Sequence, residues 1–136
     1  AQILGPEVVQ NGGFDTATGW TLGYGWQITP GPTPETGLAF HNEGSTAPIA
    51  QPTAALTAGT LYRISYTVTG SYTSTSPMHI FRMRGSMGFV NCPFQFGDGT
   101  FTCDLTAPAG VSSFQIRPGA GLAAVLDNVS IREIQP

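Results

Sequence analysis

Leu61-Tyr62-Arg63-Ile64-Ser65-Tyr66-Thr67-Val68 is the stretch that decides the fold class. Tyr62, Ile64, Tyr66 and Val68 are large and apolar at every second position, and Arg63, Ser65, Thr67 and Thr69 take the positions between them. Side chains of a strand leave alternate faces, so one face of this segment is buried and the other is wet. A half-buried strand of this kind belongs to an antiparallel sheet. Ser112-Ser113-Phe114-Gln115-Ile116-Arg117 repeats the pattern, with Phe114 and Ile116 inward and Gln115 and Arg117 outward. From Met78 to Arg84 the parity is mixed, because Ile80 shares its face with Arg82 and Arg84; the more apolar set, His79, Phe81 and Met83, is assigned inward.

Working outward, the same alternation predicts strands over about 3–10, 20–29, 37–42, 47–57, 61–69, 78–84, 88–96, 100–107, 112–117 and 122–134. The 18 Gly and 11 Pro fall between these apolar runs and mark many turns. Helices have almost no room, and residues 1–136 read as a single all-β domain large enough to bury one core. Pro30-Gly31-Pro32-Thr33-Pro34-Glu35 reads as a stiff connector, and the hydroxyl-rich loop 70–77 as either a connector or a binding loop. Five basic residues, all Arg, against eight acids give a net charge of −3, which disfavours nucleic-acid partners. No run of ~18 apolar residues suggests membrane insertion, and no leader pattern precedes the first strand. Ala1 is read as a start left by a trimmed initiator Met, the other reading being a removed signal peptide.

Two motifs bracket the chain: Asn11-Gly12-Gly13-Phe14 followed by Gly19-Trp20 near the start, and Leu126-Asp127-Asn128-Val129-Ser130-Ile131 near the end. Between them stands Leu56-x-Ala58-Gly59-x-x-Tyr62-x-x-x-Tyr66. This arrangement resembles the 4/9-like carbohydrate-binding modules and their galactose-binding-like relatives, a group that also occurs in tailed-phage virion proteins. The resemblance implies an antiparallel jelly-roll β-sandwich over essentially the whole chain. It also places Trp20 and Trp26 in the core. A structural Ca²⁺ often joins the first and last strands of such modules, and Asp15 and Asp127 stand at the matching positions, Asp15 where Glu is commoner. The alternative for Asp127 is a carboxylate that accepts backbone hydrogen bonds.

Cys92 and Cys103 flank the turn signal Gly97-Asp98-Gly99. A hairpin there would oppose Cys92 to Cys103, Phe94 to Phe101 and Val90 to Leu105, with the Cys Cα atoms within disulfide range. A disulfide and a pair of small apolar core residues are both open readings. Gly85-Ser86-Met87-Gly88 lacks the spacing of a nucleophile elbow and reads as a turn. His41 reads as a surface or loop-rim residue, and the acids are too scattered to form a glycosidase pair. No enzyme is assembled from these residues.

Binding is the remaining class. Arg63, Arg82, Arg84, Gln115 and Arg117 fall by parity on wet faces, and strands placed side by side would turn them into an arginine-rich surface for an anionic glycan or an acidic protein. Tyr24, Tyr72 and Phe40 are the aromatics freest to meet a sugar. The expectation is a non-catalytic structural or binding protein of a phage virion, such as a capsid decoration, cement or fibre component. It would be made in the host cytoplasm, would partner capsid or other virion proteins, and would contact cell-surface polysaccharide. The other reading is an extracellular glycan-binding module of a secreted polysaccharide-degrading system. Short edge strands would permit a homo-oligomer.

Overall fold

A computed structural model describes residues 3–14, 19–29, 38–41, 44, 46–52, 56–70, 78–119 and 121–135. Within them are twelve strands and no helix: β1 (Ile3–Glu7), β2 (Thr21–Leu22), β3 (Trp26–Thr29), β4 (Leu38–His41), β5 (Ile49–Pro52), β6 (Leu61–Thr69), β7 (Met78–Gly85), β8 (Gly88–Asn91), β9 (Gln95–Phe96), β10 (Gly99–Thr106), β11 (Ser113–Pro118) and β12 (Ala124–Gln135). They make two antiparallel sheets. The first runs β10-β6-β12-β4-β3, with β1 also on β12; the second runs β2-β5-β11-β7-β8, with β9 also on β7. This is an antiparallel jelly-roll β-sandwich.

The alternation in β6 holds residue by residue: Tyr62, Ile64, Tyr66 and Val68 are buried. They face Phe81, Met83, Phe114 and Ile116 of the second sheet in one contiguous core. His79, Phe81 and Met83 all point inward and are wholly buried, as their parity predicted. Complete burial of apolar side chains such as Phe81 and Met83 contributes about 1.5–3 kcal/mol each, which is why the alternation alone places the inner faces. Trp20 and Trp26 are also buried, and their indole N–H groups donate to the Asn11 and Ala47 carbonyls at 2.9 and 2.8 Å.

The two bracketing motifs meet in space. The ladder between β12 and β6 is interrupted between Asp127 and Ser130. Asn128 sits there at φ 54, a conformation that Asn tolerates better than most residues, and its N–H donates to Asp127 Oδ1 at 2.8 Å. The bulge frees the Val129 N–H to donate to the Gly12 carbonyl at 3.0 Å. Gly12 lies so close to the Val129 carbonyl that a Cβ would collide with it. On the other side of the same loop, the Gln51 amide of β5 takes the Gln10 N–H at 3.0 Å and donates to the Gln10 carbonyl at 2.7 Å. The loop thus ties the last strand of the first sheet to β5 of the second, over the buried Phe14. Glu7 fills a register irregularity in β1 by accepting the Ile131 and Val9 N–H groups at 2.6 and 3.3 Å.

Three local expectations are corrected. The predicted 88–107 hairpin does not form: β8 and β9 pair with β7, whereas β10 pairs with β6 in the other sheet. Gly97-Asp98-Gly99 is therefore a crossing between sheets, with Gly97 at φ 77 and Gly99 at φ 147. Cys92 and Cys103 are nonetheless bonded, with Cα atoms 6.2 Å apart, and the bond joins one edge of each sheet. The predicted 20–29 strand is likewise divided at Gly23-Tyr24-Gly25 into β2 and β3, which lie in different sheets. His41 is not a rim residue: it is wholly buried against Trp26, ring centroids 4.9 Å apart, and its Nδ1 donates to the Leu122 carbonyl at 2.7 Å.

Candidate functional site

The outer face of the second sheet collects Arg82, Arg84, Gln115 and Arg117 of the residues singled out for binding. Residues opposite each other in a ladder share a face, so Asn91, Arg82, Gln115, Ala50 and Thr21 form one row across β8, β7, β11, β5 and β2. Phe89, Arg84 and Ser113 form the next, Arg117 lies opposite Ile80, and Phe96 lies opposite Met78. The centre of this face is shielded, with Ile80 at 3% and Gln115 at 9% exposure, while Arg84, Phe89, Asn91 and Phe96 along its margin are exposed. Burial of Ile80 on a face shared with two Arg explains the mixed parity of β7.

Arg82 organises the face. Its Nε donates to Gln115 Oε1 at 2.9 Å, and its guanidinium lies 3.8 Å from the centroid of the Phe89 ring. Burial, and secondarily the like charge of Arg117, push its pKa down. The six strands of the second sheet carry Arg82, Arg84 and Arg117 and no acid.

Arg63 does not belong to this group. It lies on the outer face of the first sheet, where its Nε and Nη2 fork onto the Asp104 carboxylate at 2.9 and 3.0 Å. That hydrogen bond raises the Arg63 pKa and lowers that of Asp104. Arg132, opposite Arg63, approaches Glu7 at 3.8 Å, so this row reads acid, base, base, acid across four strands. Its neighbours are hydroxyls, with Thr67 and Thr100 Oγ1 atoms 3.0 Å apart.

Tyr24 is 84% exposed but stands on the turn after β2, at the edge of the second sheet away from β7 and β8. Phe40 is half-buried on the first sheet. Tyr72 and Asp15 lie outside the described residues. Asp127, the other expected calcium ligand, is partly buried; burial raises its pKa, and the Asn128 N–H opposes that shift. Among the described residues no three His, Cys, Asp or Glu side chains converge on one point.

Phe89 and Phe96 join the face because residues 88–91 and 95–96 pair with β7 and not with 100–107, the pairing that the Gly97-Asp98-Gly99 turn signal suggests. The signal for pairing with β7 is the Gly85-Ser86-Met87-Gly88 turn, which makes β7 and β8 a hairpin and puts Phe89 beside Arg84. Ser86 donates its hydroxyl to the Ala109 carbonyl at 3.1 Å, a turn contact. His79 is equally structural. Its Nε2 donates to the Gly97 carbonyl at 3.0 Å and its Nδ1 lies 2.9 Å from the Tyr66 hydroxyl, which donates to it in the neutral ring that burial favours by lowering the His79 pKa. Beside the disulfide, a crevice of about 10 Å³ touching Tyr66, Gln95 and Phe101 has room for roughly one water and no larger ligand.

No protein-family model matches this sequence, and no curated protein matches it with significance. Solved structures do match the fold. The CBM22-1 xylan-binding domain of Paenibacillus barcinonensis Xyn10C is similar over all of this chain and 97% of its own, at 13% identity and a TM-score of 0.70. The family 16 carbohydrate-binding module-2 is similar over 91% of this chain and 98% of its own, at 15% identity and a TM-score of 0.68. The enzymatically active domain of tailspike protein 4 from bacteriophage CBA120 is similar over 94% of this chain, at 15% identity and a TM-score of 0.60, but this chain spans only 21% of it. The fold is that of carbohydrate-binding modules.

Proposed function

We propose that this protein is a non-catalytic glycan-binding module and that the outer face of the second sheet is its binding surface. The observation that carries the reading is the juxtaposition of Phe89 and Phe96 with Arg82, Arg84, Asn91, Gln115 and Arg117 on one sheet face. Sugar rings present apolar C–H faces and hydroxyl edges, so a surface that recognises them needs aromatic rings for the first and planar donors and acceptors for the second. The jelly-roll fold and its likeness to solved xylan-binding and other carbohydrate-binding modules support the same reading. Calcium would act as a structural ion on Asp127 of the first sheet, with Asp15, outside the described residues, as the second carboxylate that the bracketing motifs imply. A glycan array followed by affinity electrophoresis on plant and bacterial polysaccharides, with and without calcium, tests the proposal. Retardation that Phe89→Ala abolishes is the expected result; no retardation on any polymer would refute it.

The likeness to a phage tailspike domain supports a second reading, in which such a module works on a virion surface and meets host polysaccharide there. Proteomic analysis of purified particles tests it, and absence of the protein from them would remove the reading.

A further inference from the structure

Building on the glycan-binding reading, we infer that the ligand of the second-sheet face is a carboxylate-bearing polysaccharide, a uronate polymer, and not a neutral one. The charges of the sandwich are segregated. Strands of the second sheet hold Arg82, Arg84 and Arg117 and no acid, for a charge of +3. Strands of the first hold Arg63 and Arg132 against Glu7, Asp104, Asp127 and Glu133, for a charge of −2. The chain as a whole carries −3 and repels a polyanion, so attraction to one has to come from this face.

The two sets of Arg are also used differently. Arg63 and Arg132 each have a carboxylate partner within the fold. Among the described residues neither Arg84 nor Arg117 has one, and Arg82 is held by a neutral amide and a ring. Arg63 and Asp104 show what this geometry does when an acid is supplied: an arginine standing on a strand takes both carboxylate oxygens of a group lying across the neighbouring strand. Along β7, Arg84 and Arg82 are two residues apart, and Arg117 on β11 continues the line at the level of Ile80. The three cations therefore follow a diagonal of about 14 Å, along which an extended chain meets one after another. Phe89 and Phe96 flank that line for contact with the rings between carboxylates. Arg82 also keeps Phe89 and Gln115 in place, while Arg84 and Arg117 have no carboxylate partner among the described residues.

The test uses affinity electrophoresis and calorimetry on the full chain with four polymers: polygalacturonate, the same polymer after chemical reduction of its carboxyls, dextran sulfate, and neutral xylan. Retention on polygalacturonate that is lost on carboxyl reduction, and that weakens with added salt, is expected. Arg84→Gln and Arg117→Gln are each expected to lower polygalacturonate affinity about three- to tenfold. Arg63→Gln, on the opposite sheet, leaves it unchanged, and thermal melts confirm that all three variants fold. Equal binding to the carboxyl-reduced polymer or to xylan overturns the inference while leaving the glycan-binding reading intact. Equal binding to dextran sulfate overturns it in favour of unselective polyanion attraction. Binding to none of the four polymers, together with a negative glycan array, removes both.

Discussion

Reduction of the Cys92–Cys103 bond without any change of sequence is the perturbation whose effect the fold specifies most directly. The bond ties the β10 edge of the first sheet to the chain just after β8, at the edge of the second. It closes a loop with a sequence separation of 11. In the chain-entropy description, opening a loop of that size returns about 2.8 kcal/mol of freedom to the unfolded chain at 25 °C. An unfolding entropy of about 0.29 kcal/mol/K for a chain of this length converts that to a fall of about 10 °C in melting temperature. Reduction keeps both side chains, so the loss of packing that accompanies a Cys→Ala change does not contaminate the result. The assay is differential scanning calorimetry of the wild-type protein with and without a phosphine reductant, with mass spectrometry verifying the state of the thiols. A Cys92→Ala/Cys103→Ala double variant should melt below the oxidised wild type and ignore the reductant. A fully reduced wild type that melts with the oxidised one would refute the reasoning, and so would two free thiols in the protein as purified from an oxidising compartment.

Two further outcomes follow from the core. Gly12→Ala drives a methyl into the Val129 carbonyl, which must move away and lose the Val129 N–H to Gly12 bond, so chemical denaturation should show a loss of about 2–3 kcal/mol, whereas Gly44→Ala, whose Cβ meets nothing, should cost about 1 kcal/mol for its positive φ alone. His79 is held neutral, its pKa pushed below the ordinary 6.5 chiefly by burial, with the Gly97 carbonyl and Asp98 opposing that shift. The unfolded chain then binds the extra proton, so the contribution of His79 is complete above pH 6.5 and is lost as the pH falls from there towards the lowered folded value. Melts between pH 7 and pH 5 should show a slope of up to about 1.4 kcal/mol per pH unit that His79→Phe flattens; an unchanged slope would assign it to other groups.

Period-two alternation is a local property, and it was enough to identify an all-β chain, the inner face of β6 and β11, and the inward set His79, Phe81 and Met83. The bracketing motifs were legible for the same reason: Asn-Gly-Gly and Asp-Asn-Val carry backbone conformations and a close approach that few other residues accept, and those requirements turned out to be two halves of one contact between Gly12 and Val129. Alternation does not say which strand lies alongside which. Gly97-Asp98-Gly99 is as good a crossing between sheets as it is a hairpin turn, and only the packing of Phe101, Cys103 and Leu105 against the core selected β6 as the partner of β10. The same uncertainty governed the arginines. Parity put Arg63, Arg82, Arg84 and Arg117 on wet faces, but a sandwich has two of these. Pairing across the sheets, which depends on residues far apart in the chain, separated Arg63 and its Asp104 partner from the three that share a face with Phe89.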